Sequence, residues 1–347
     1  MPPLRPTFTL TIGTLQTSSD RPVAGLTYLT VDRDMDSPGD GLRLGLMARS
    51  GIQVGDAITL ALGHDGENQA VFAGTVARLL PTIAGVQVQG IGKLNALATF
   101  HTAQFYDNQT AGHIARDLIQ QAGLTAGTLD SGPTLPRYAV DRRLSVYGHL
   151  RQLAQRLGYE LYGDRNGNVM FHGLGAAAQL DRGLGGGLGG LSSLAGGATH
   201  LMFGHHVLQA QAIQQRAPAG QVTVGGESPM SRQGDPTAHW LATADNSPTG
   251  TAGQGHPTRL IVDGLARTRD LADRLAAGVK ATGDRTTHRL QVRVLGLPRL
   301  DLGDPLQTQA LPDTGLNGSG YVRSLCHRFG EGSGFTTDLT LVVGGGA

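Results

Sequence analysis

The sequence has little of several features that usually indicate a function. Charged residues make up 16% of its 347 residues, and the formal net charge is +1. So small a charge creates no long-range field to attract nucleic acid or an anionic membrane, so we expect neither as a partner. No run of 18 apolar residues occurs, which predicts no membrane-spanning helix. The first residues, MPPLRPTFTLTIG, lack the apolar core of a signal peptide, so we expect folding in the cytoplasm.

Reactive side chains and aromatic rings are also scarce. Cys326 is the only cysteine, and its place in a strand-like run indicates a buried structural thiol. One Trp, seven Tyr and eight Phe make 16 aromatic residues, which argues against a carbohydrate-binding surface. No G-x-S-x-G motif is present. The sequence predicts no enzyme and no catalytic, metal-binding or cofactor-binding residue.

Three short motifs have structural interpretations that outweigh the functional ones. Gly185, Gly187 and Gly190 match G-x-G-x-x-G, but Gly, Leu and Ser flank them where a nucleotide fold needs a strand and a helix. Residues 164–168, DRNGN, lack the later Gly and Glu of a calcium loop, which favours a hairpin turn. His200, His205 and His206, with His172 upstream, could suggest zinc, but adjacent strand residues point to opposite faces.

Acidic residues give the one enzymatic alternative. Glu160 and Asp164 flank a short hairpin, and paired carboxylates can hydrolyse glycosides. Asp32, Asp34 and Asp36 alternate along another segment. Without further features of a sugar cleft, a solvated acidic edge is the favoured interpretation.

What the sequence has in quantity is Gly, at 53 residues, and short alternating segments. Residues 1–100 contain such segments at short intervals, TFTLTIG and DAITLAL among them, which predicts a small β-barrel. In residues 101–180 the period becomes helical, with a helix capped by Ser145 and ended by Gly158, then a hairpin turning at Asn166-Gly167. This predicts an α/β insertion.

The second half of the chain returns to strands. Residues 181–199 are rich in Gly and Ser, which indicates a flexible linker. Residues 200–347 are predicted to form a second barrel, with a long loop at 226–257 and a helix at 263–281.

An internal repeat connects the two ends of the chain. VGDAITL at 54–60 and GTVARL at 74–79 match LGDPLQT at 302–308 and GYVRSL at 320–325. The spacing agrees to within two residues. The predicted structural turn positions are Gly55, Asp56, Gly74, Gly303, Asp304 and Gly320, where glycine would supply backbone angles that other residues resist.

These segments resemble the phage late control D family, the baseplate hub proteins of contractile tails, and the N-terminal hub part of VgrG proteins. The segments that carry the resemblance are IQVGDAITL to GKLNAL (52–97), SVYGHLRQLAQRLGYELYGDRNGNVMF (145–171), and LPRLDLGDPLQTQAL running into GSGYVRSLCHRFGEGSGFTTDLTL (297–341). None of them is a catalytic motif.

The resemblance implies a mainly β fold with two pseudo-repeated barrels, three copies of which form a pseudo-sixfold ring. Such a hub joins a threefold spike to the sixfold inner tube and lines their channel. It implies a homotrimer whose partners are a separate spike protein, the inner tube and other baseplate proteins, assembled in the cytoplasm into a phage tail or injection particle. A tail-tip cell-wall hydrolase and a carbohydrate-binding β protein remain alternatives.

Overall fold

A computed structural model describes residues 5–47, 51–174, 199–226, 248–330 and 334–343. The chain is mainly β, as predicted. Seven strands precede the first helix: β1 (Pro6–Ile12), β2 (Leu15–Ser18), β3 (Leu26–Asp34), β4 (Gly41–Leu46), β5 (Ala57–His64), β6 (Glu67–Thr82) and β7 (Gly85–Gly92). Five lie in the middle: β8 (Gln104–Thr110), β9 (Ala126–Leu129), β10 (Thr134–Val140), β11 (Glu160–Gly163) and β12 (Val169–His172).

The remaining described strands and the helices complete the element order. The strands are β13 (Thr199–Met202), β14 (Val207–Gln214), β15 (Gln221–Gly225), β16 (Thr249–Gly253), β17 (Thr258–Val262), β18 (His288–Leu295), β19 (Pro305–Gln309), β20 (Gly318–Gly330) and β21 (Gly334–Val343). The helices are α1 (Asn95–Thr99), α2 (Ala111–Gln121), α3 (Val146–Leu157) and α4 (Arg269–Asp284), with a 3-10 turn at Thr314–Leu316. None of these helices is long and apolar enough to cross a membrane.

One sheet of 13 strands contains both ends of the described chain. Its strand order is β14-β18-β21-β20-β3-β4-β7-β6-β5-β1-β2, and β19 pairs with β20 and with β13. The antiparallel pairing of β20 with β3 joins the C-terminal strands to the N-terminal ones. The two halves therefore share a continuous backbone ladder.

Each half of this sheet contains five strands in the same order. We call β5-β6-β7-β4-β3 the first set and β19-β20-β21-β18-β14 the second set. Ile58 lies opposite Gly74 in the first set, and Leu306 lies opposite Gly320 in the second. The ladder shifts register after Val76 in β6 and after Val322 in β20. The two sets thus agree in strand order, register and bulge position.

The described residues bury three hydrophobic cores. One lies under the first set and includes Leu10, Leu44, Leu60 and Val88. A second lies under the second set and includes Val292, Leu306 and Leu341. The third joins residues 94–171 to residues 219–276, and we call this part of the chain the α/β body.

Helix α3 of the α/β body begins and ends at the residues that the sequence predicts. The Ser145 hydroxyl accepts a hydrogen bond from the Gly148 N–H, and Gly158 ends α3 with a φ of +71°. The turn of the following hairpin also lies where predicted, because the Gly167 N–H donates to the Asp164 carbonyl oxygen at 2.9 Å.

Two boundaries in the second half differ from the prediction. The predicted helix at 263–281 is α4 (Arg269–Asp284), because Asp263 accepts the Leu265 N–H in a turn and Thr268 provides the N-cap. The predicted loop at 226–257 contains β16, which pairs with β15, while residues 227–247 lie outside the described residues. The predicted linker at 181–199 also lies outside them, except for Thr199, where β13 begins.

Candidate functional site

The side of the large sheet that turns away from its cores carries a continuous band of polar side chains. Leu325, in a core, is 2% exposed, whereas its neighbours Ser324 and Cys326 are half-buried on the other side. Members of this band lie opposite one another across the strand pairs, and we call the band the polar face. Its residues are Arg78, Gln89, Arg43, Thr30, Asp32, Asp34, Ser324, Cys326, Arg328, Asp338, Thr340, Gln291, Arg293, Gln209 and Gln211.

The polar face is concave where the two sets meet. A groove of about 410 Å³ lies between β14 on one side and β3 on the other, so it crosses the β20–β3 pairing. Only Val292, Leu325 and Leu339 among its lining residues are apolar. The groove is therefore lined by both sets and mostly by polar residues.

The polar face carries charges of both signs, and some of them form ion pairs. It carries four arginines and three aspartates, and Asp338 lies between two of those arginines. The Arg293 Nε donates to Asp338 at 2.6 Å and the Arg328 Nε at 3.0 Å. Partial burial alone would raise the pKa of Asp338, but these two hydrogen bonds lower it below its ordinary value.

Cys326 lies in the middle of the polar face, opposite Asp338 on one side and Asp32 on the other. Burial and the neighbouring Asp32 carboxylate raise the pKa of this thiol to about 12. It therefore stays protonated at neutral pH, and a protonated thiol is a poor nucleophile and metal ligand.

The histidines singled out in the sequence do not form a ligand set. His205 and His206 follow β13 in a turn and are not on a strand as predicted, and their ring centroids are 6.3 Å apart. His172 shares a hydrogen bond of 3.0 Å with the Tyr162 hydroxyl. Within the described ranges, no three His, Cys, Asp or Glu side chains are grouped to hold a metal ion.

Beneath the sheet, Arg33 connects three parts of the chain. This β3 side chain is 2% exposed. It donates to Asp40 at 2.9 Å, to Asp301 at 2.6 Å and to the Gly163 carbonyl oxygen at 2.8 Å. Burial alone would raise the pKa of Asp301, but Arg33 and Arg165 lower it below its ordinary value. Arg33 thus links the first set, the second set and the α/β body.

Glu160 makes a second such connection. Its carboxylate is 2% exposed and accepts from Arg323 at 2.7 Å and from Arg285 at 2.9 Å. Arg323 also donates to Asp36 at 2.7 Å. The prediction of a solvated acidic edge is wrong for Glu160, because burial forces a carboxylate to pair. We call the two connections together the charged junction.

The six predicted turn positions occupy equivalent places in the two sets. Gly55 has a φ of +95° and Gly303 a φ of +85°. The Gly55 N–H donates to the Val76 carbonyl oxygen, and the Gly303 N–H to that of Val322, both at 2.8 Å.

The other four positions match in the same way. Asp56 accepts from the Gln53 N–H and Asp304 from the Asp301 N–H through one carboxylate oxygen, each at 2.8 Å. A Cβ at Gly74 would overlap the Ile91 carbonyl oxygen, and one at Gly320 the Val342 carbonyl oxygen. These residues shape the backbone and lie away from the polar face.

Sequence reasoning missed the arginines of the charged junction. Arg33 shares the period-two alternation of Leu29 and Val31 in LTVDRD, so the pattern places it on the inward side of the sheet but does not identify its buried partners. Arg323 is the extra residue of the β20 bulge, and a bulge changes which side of the sheet a residue faces.

Comparison with known proteins gives structural likeness only. No family model matches the chain, and no curated protein sequence matches it. The 43 kDa tail protein of prophage MuSo2 from Shewanella oneidensis is similar, with a TM-score of 0.69, 15% identity and coverage of 97% of this chain and 98% of that one. A tail protein from Neisseria meningitidis MC58 gives 0.68 and 12%, covering 98% and 96%.

A third similar structure is the E. coli c3393 protein, a component of the type VI secretion system with structural similarity to the T4 bacteriophage tail proteins gp27 and gp5. Its TM-score is 0.59 at 8% identity, with coverage of 97% of this chain and 77% of that one. The whole described chain therefore has the fold of these phage tail and type VI secretion proteins.

Proposed function

We propose that this chain is the structural baseplate hub of a contractile phage tail or injection system. Three copies form a ring in which each contributes two barrels, one built on the first set and one on the second. The observation that carries the proposal is the agreement of the two sets in strand order, register and bulges. A subunit with two equivalent halves can meet a threefold spike on one side and a sixfold tube on the other.

The polar face lines the channel of this ring. A channel wall must not retain what passes through it, so it needs neither a strong field of one sign nor apolar patches. Four arginines and three aspartates satisfy the first requirement, since Asp338 is already shared by Arg293 and Arg328. The glutamine and threonine side chains between them keep the wall wetted.

The α/β body lies outside the ring, where the charged junction fixes it. Arg33 and Arg323 come from the sheet, and the groups they bind at Gly163 and Glu160 come from β11. Buried ion pairs of this kind are costly to separate. The body therefore moves with the sheet as one unit and offers a surface for other baseplate proteins.

The partners that this function requires are two further copies of the chain, a separate spike protein, the inner tube and other baseplate proteins. Assembly takes place in the cytoplasm, and the product is part of a tail or injection particle. The fold shared with phage tail and type VI secretion proteins supports this assignment.

The geometry does not favour the hydrolase alternative. A general acid needs access to its substrate, and Glu160 is buried between Arg323 and Arg285. The carbohydrate alternative needs exposed aromatic rings that can stack on a sugar. Phe105 is one of the exposed aromatic side chains, but the Arg137 guanidinium already covers its ring, 4.8 Å from the ring centroid.

The test is to produce the chain together with the spike and tube proteins that neighbouring genes encode, and to image the purified complex by electron microscopy. We expect three copies around the tube axis, with both sets facing the channel. A single copy, or a position away from the axis, would contradict the proposal. Turnover of peptidoglycan by the purified chain that Glu160→Gln abolishes would favour the hydrolase.

A further inference from the structure

One strand edge has a partner within the chain in the second set and none in the first. Residues 324–330 of β20 extend past β19 and pair with β3. The equivalent part of β6, residues 78–82, extends past β5, and no described strand pairs with it on that side. Similarly, β14 is the last of the described strands of the sheet and, among them, pairs only with β18, whereas its equivalent β3 is paired on both sides.

Strand register fixes which residues correspond. The carbonyl oxygen of Ile91 lies next to Gly74, and that of Val342 lies next to the equivalent Gly320. Ile91 and Val342 therefore correspond. Ile91 is opposite Gly41, and Val342 is opposite Arg289.

One strand further along, Gly41 is opposite Asp32 and Arg289 is opposite Ile213. Asp32 and Ile213 therefore correspond, and the ladders of β3 and β14 even shift register at equivalent points, after Leu26 and after Val207.

We propose that residues 79–82 of β6 pair antiparallel with residues 211–214 of β14 in a second copy of this chain. The contact repeats between copies the β20–β3 pairing that exists within one. Cys326 lies opposite Asp32 in that pairing, so its equivalent Leu80 lies opposite Ile213 of the second copy. The pairing stands on the strand register, and only the number of copies it closes rests on the proposed function.

Exposed apolar side chains flank both edges. Beside the free β6 edge, Ile83 is 110% exposed and Val54 63%. Beside β14, Leu208 is 53% exposed and Phe203 49%. Water contact at such side chains is unfavourable, and pairing the edges removes it from both groups.

The pairing within the chain shows what becomes of the side chain at the equivalent position. Phe329, the equivalent of Ile83, packs edge to face on Phe8 with ring centroids 5.4 Å apart and lies 6.2 Å from Phe335. The tip of the β20–β21 hairpin thus packs on the core of the first set. At the turn between β6 and β7, Ile83 presents its side chain to water.

The two free edges differ, so the contact is head to tail. Each copy offers one β6 extension and one β14 edge, and such contacts form a closed ring or an open filament. Pro81 lies in the β6 extension and has no N–H to donate, so the proposed ladder cannot include a hydrogen bond from this residue. In this register Thr82 lies opposite Gln211 of the next copy on the side of the polar face, next to the Leu80–Ile213 pair.

The test is disulfide formation between two singly substituted full-length chains, both carrying Cys326→Ser. One chain has Leu80→Cys and the other Ile213→Cys, and the two are mixed and oxidised. We expect a linked pair from the mixture and none from either chain alone. The register control replaces Ile213→Cys with Gln209→Cys, four residues and about 13 Å along the strand.

A positive control within one chain keeps Cys326 and adds Asp32→Cys, which should close an internal disulfide at the equivalent position. If this control closes and the 80–213 mixture gives no product, or no more than the 80–209 mixture, the pairing is wrong. Native mass spectrometry tests the pairing and the hub function separately. Trimers that lack the 80–213 disulfide would contradict the pairing alone. Linked open chains without trimers contradict the ring alone.

Discussion

Gly55 and Gly303 have the same backbone conformation in different surroundings, which makes them a matched pair. A Cβ at Gly55 would meet nothing within 4 Å, whereas one at Gly303 would lie 2.5 Å from the Tyr162 hydroxyl. We expect Gly55→Ala to cost about 1 kcal/mol through backbone strain alone. Gly303→Ala should cost about 2–4 kcal/mol, because displacing buried Tyr162 adds to the strain.

Urea unfolding of both variants measures this difference. Gly66→Ala is a useful reference, since that glycine has a φ of +91° and open space around it and lies in the β5–β6 turn. If Gly55→Ala and Gly303→Ala lose the same free energy of unfolding, the Tyr162 side chain moves aside without an energetic cost.

His327 makes folding sensitive to mild acid. It is 1% exposed, and burial, assisted by Arg33 and Arg165, lowers its pKa to about 3. Above pH 6.5 the imidazole is neutral in the folded and unfolded chain alike. Below it the unfolded chain takes up a proton that the folded chain does not, so the free energy of unfolding falls by about 1.4 kcal/mol per pH unit.

The measurement is urea unfolding between pH 7 and pH 5, above the ordinary pKa values of Asp and Glu. His327→Gln should flatten the slope but not abolish it, because burial also lowers the pKa of His172. The exposed His113→Gln variant should keep the full slope. A slope unchanged by His327→Gln would mean that the buried imidazole accepts a proton in the folded state.

Among elements, β11 is the one that the charged junction fixes to the sheet. Replacing the carboxylate in Glu160→Gln keeps the side chain's shape but leaves Arg323 and Arg285 without their shared negative charge. We expect a loss of about 3–5 kcal/mol in the free energy of unfolding. Asp338→Asn, on the half-exposed polar face, is the matched control and should cost about 1 kcal/mol or less.

Thermal unfolding followed by circular dichroism compares these two variants. Because β11 belongs to the α/β body and Arg323 to the sheet, the Glu160→Gln variant should also lose cooperativity between the two. Similar small losses in both variants would indicate that water reaches the charged junction.

Elements with local signals were predictable from the sequence. Ser145 and Gly158 fix the ends of α3 through a side chain and a backbone angle that belong to those residues alone. The start of α4 was misplaced because Asp263 and Thr268 both suit an N-cap, and the choice depends on tertiary contacts. The partners in the charged junction had no local signal, since they are as far apart in sequence as Arg33 and Asp301.

At the scale of the whole molecule, the ring predicts which surfaces lose access to solvent reagents. In a Cys326→Ser background, Gln291→Cys places a thiol on the polar face and Arg116→Cys places one on the exposed side of α2. We expect a bulky maleimide to label both in the isolated chain. In the complex with spike and tube, it should label only Arg116→Cys.

A small maleimide serves as the size control, because it can diffuse along a water-filled channel and should label Gln291→Cys in both states. Equal labelling of Gln291→Cys by the bulky reagent before and after assembly would place the polar face outside the ring.

The repeat of Gly-Asp turns was enough to predict related β structure at both ends of the chain, because each turn is encoded by adjacent residues. It was not enough to predict that the two sets share one sheet. That continuity depends on the pairing of β20 with β3, and the sequence of neither strand identifies the other as its partner. The polar face follows from the same pairing, so it too emerged only from the structure.

Because of the β20–β3 pairing, the ribosome makes β3 long before it makes the strand that β3 pairs with. Leu29 pairs with Phe329, so the ribosome must add 300 more residues before β3 can find its neighbour. Until then the nascent chain presents an unsatisfied strand edge, and long-range pairing of this kind is slow and prone to aggregation. A translation pause or a truncation before β20 should therefore send the product to inclusion bodies or to chaperones, however well the α/β body has folded by then.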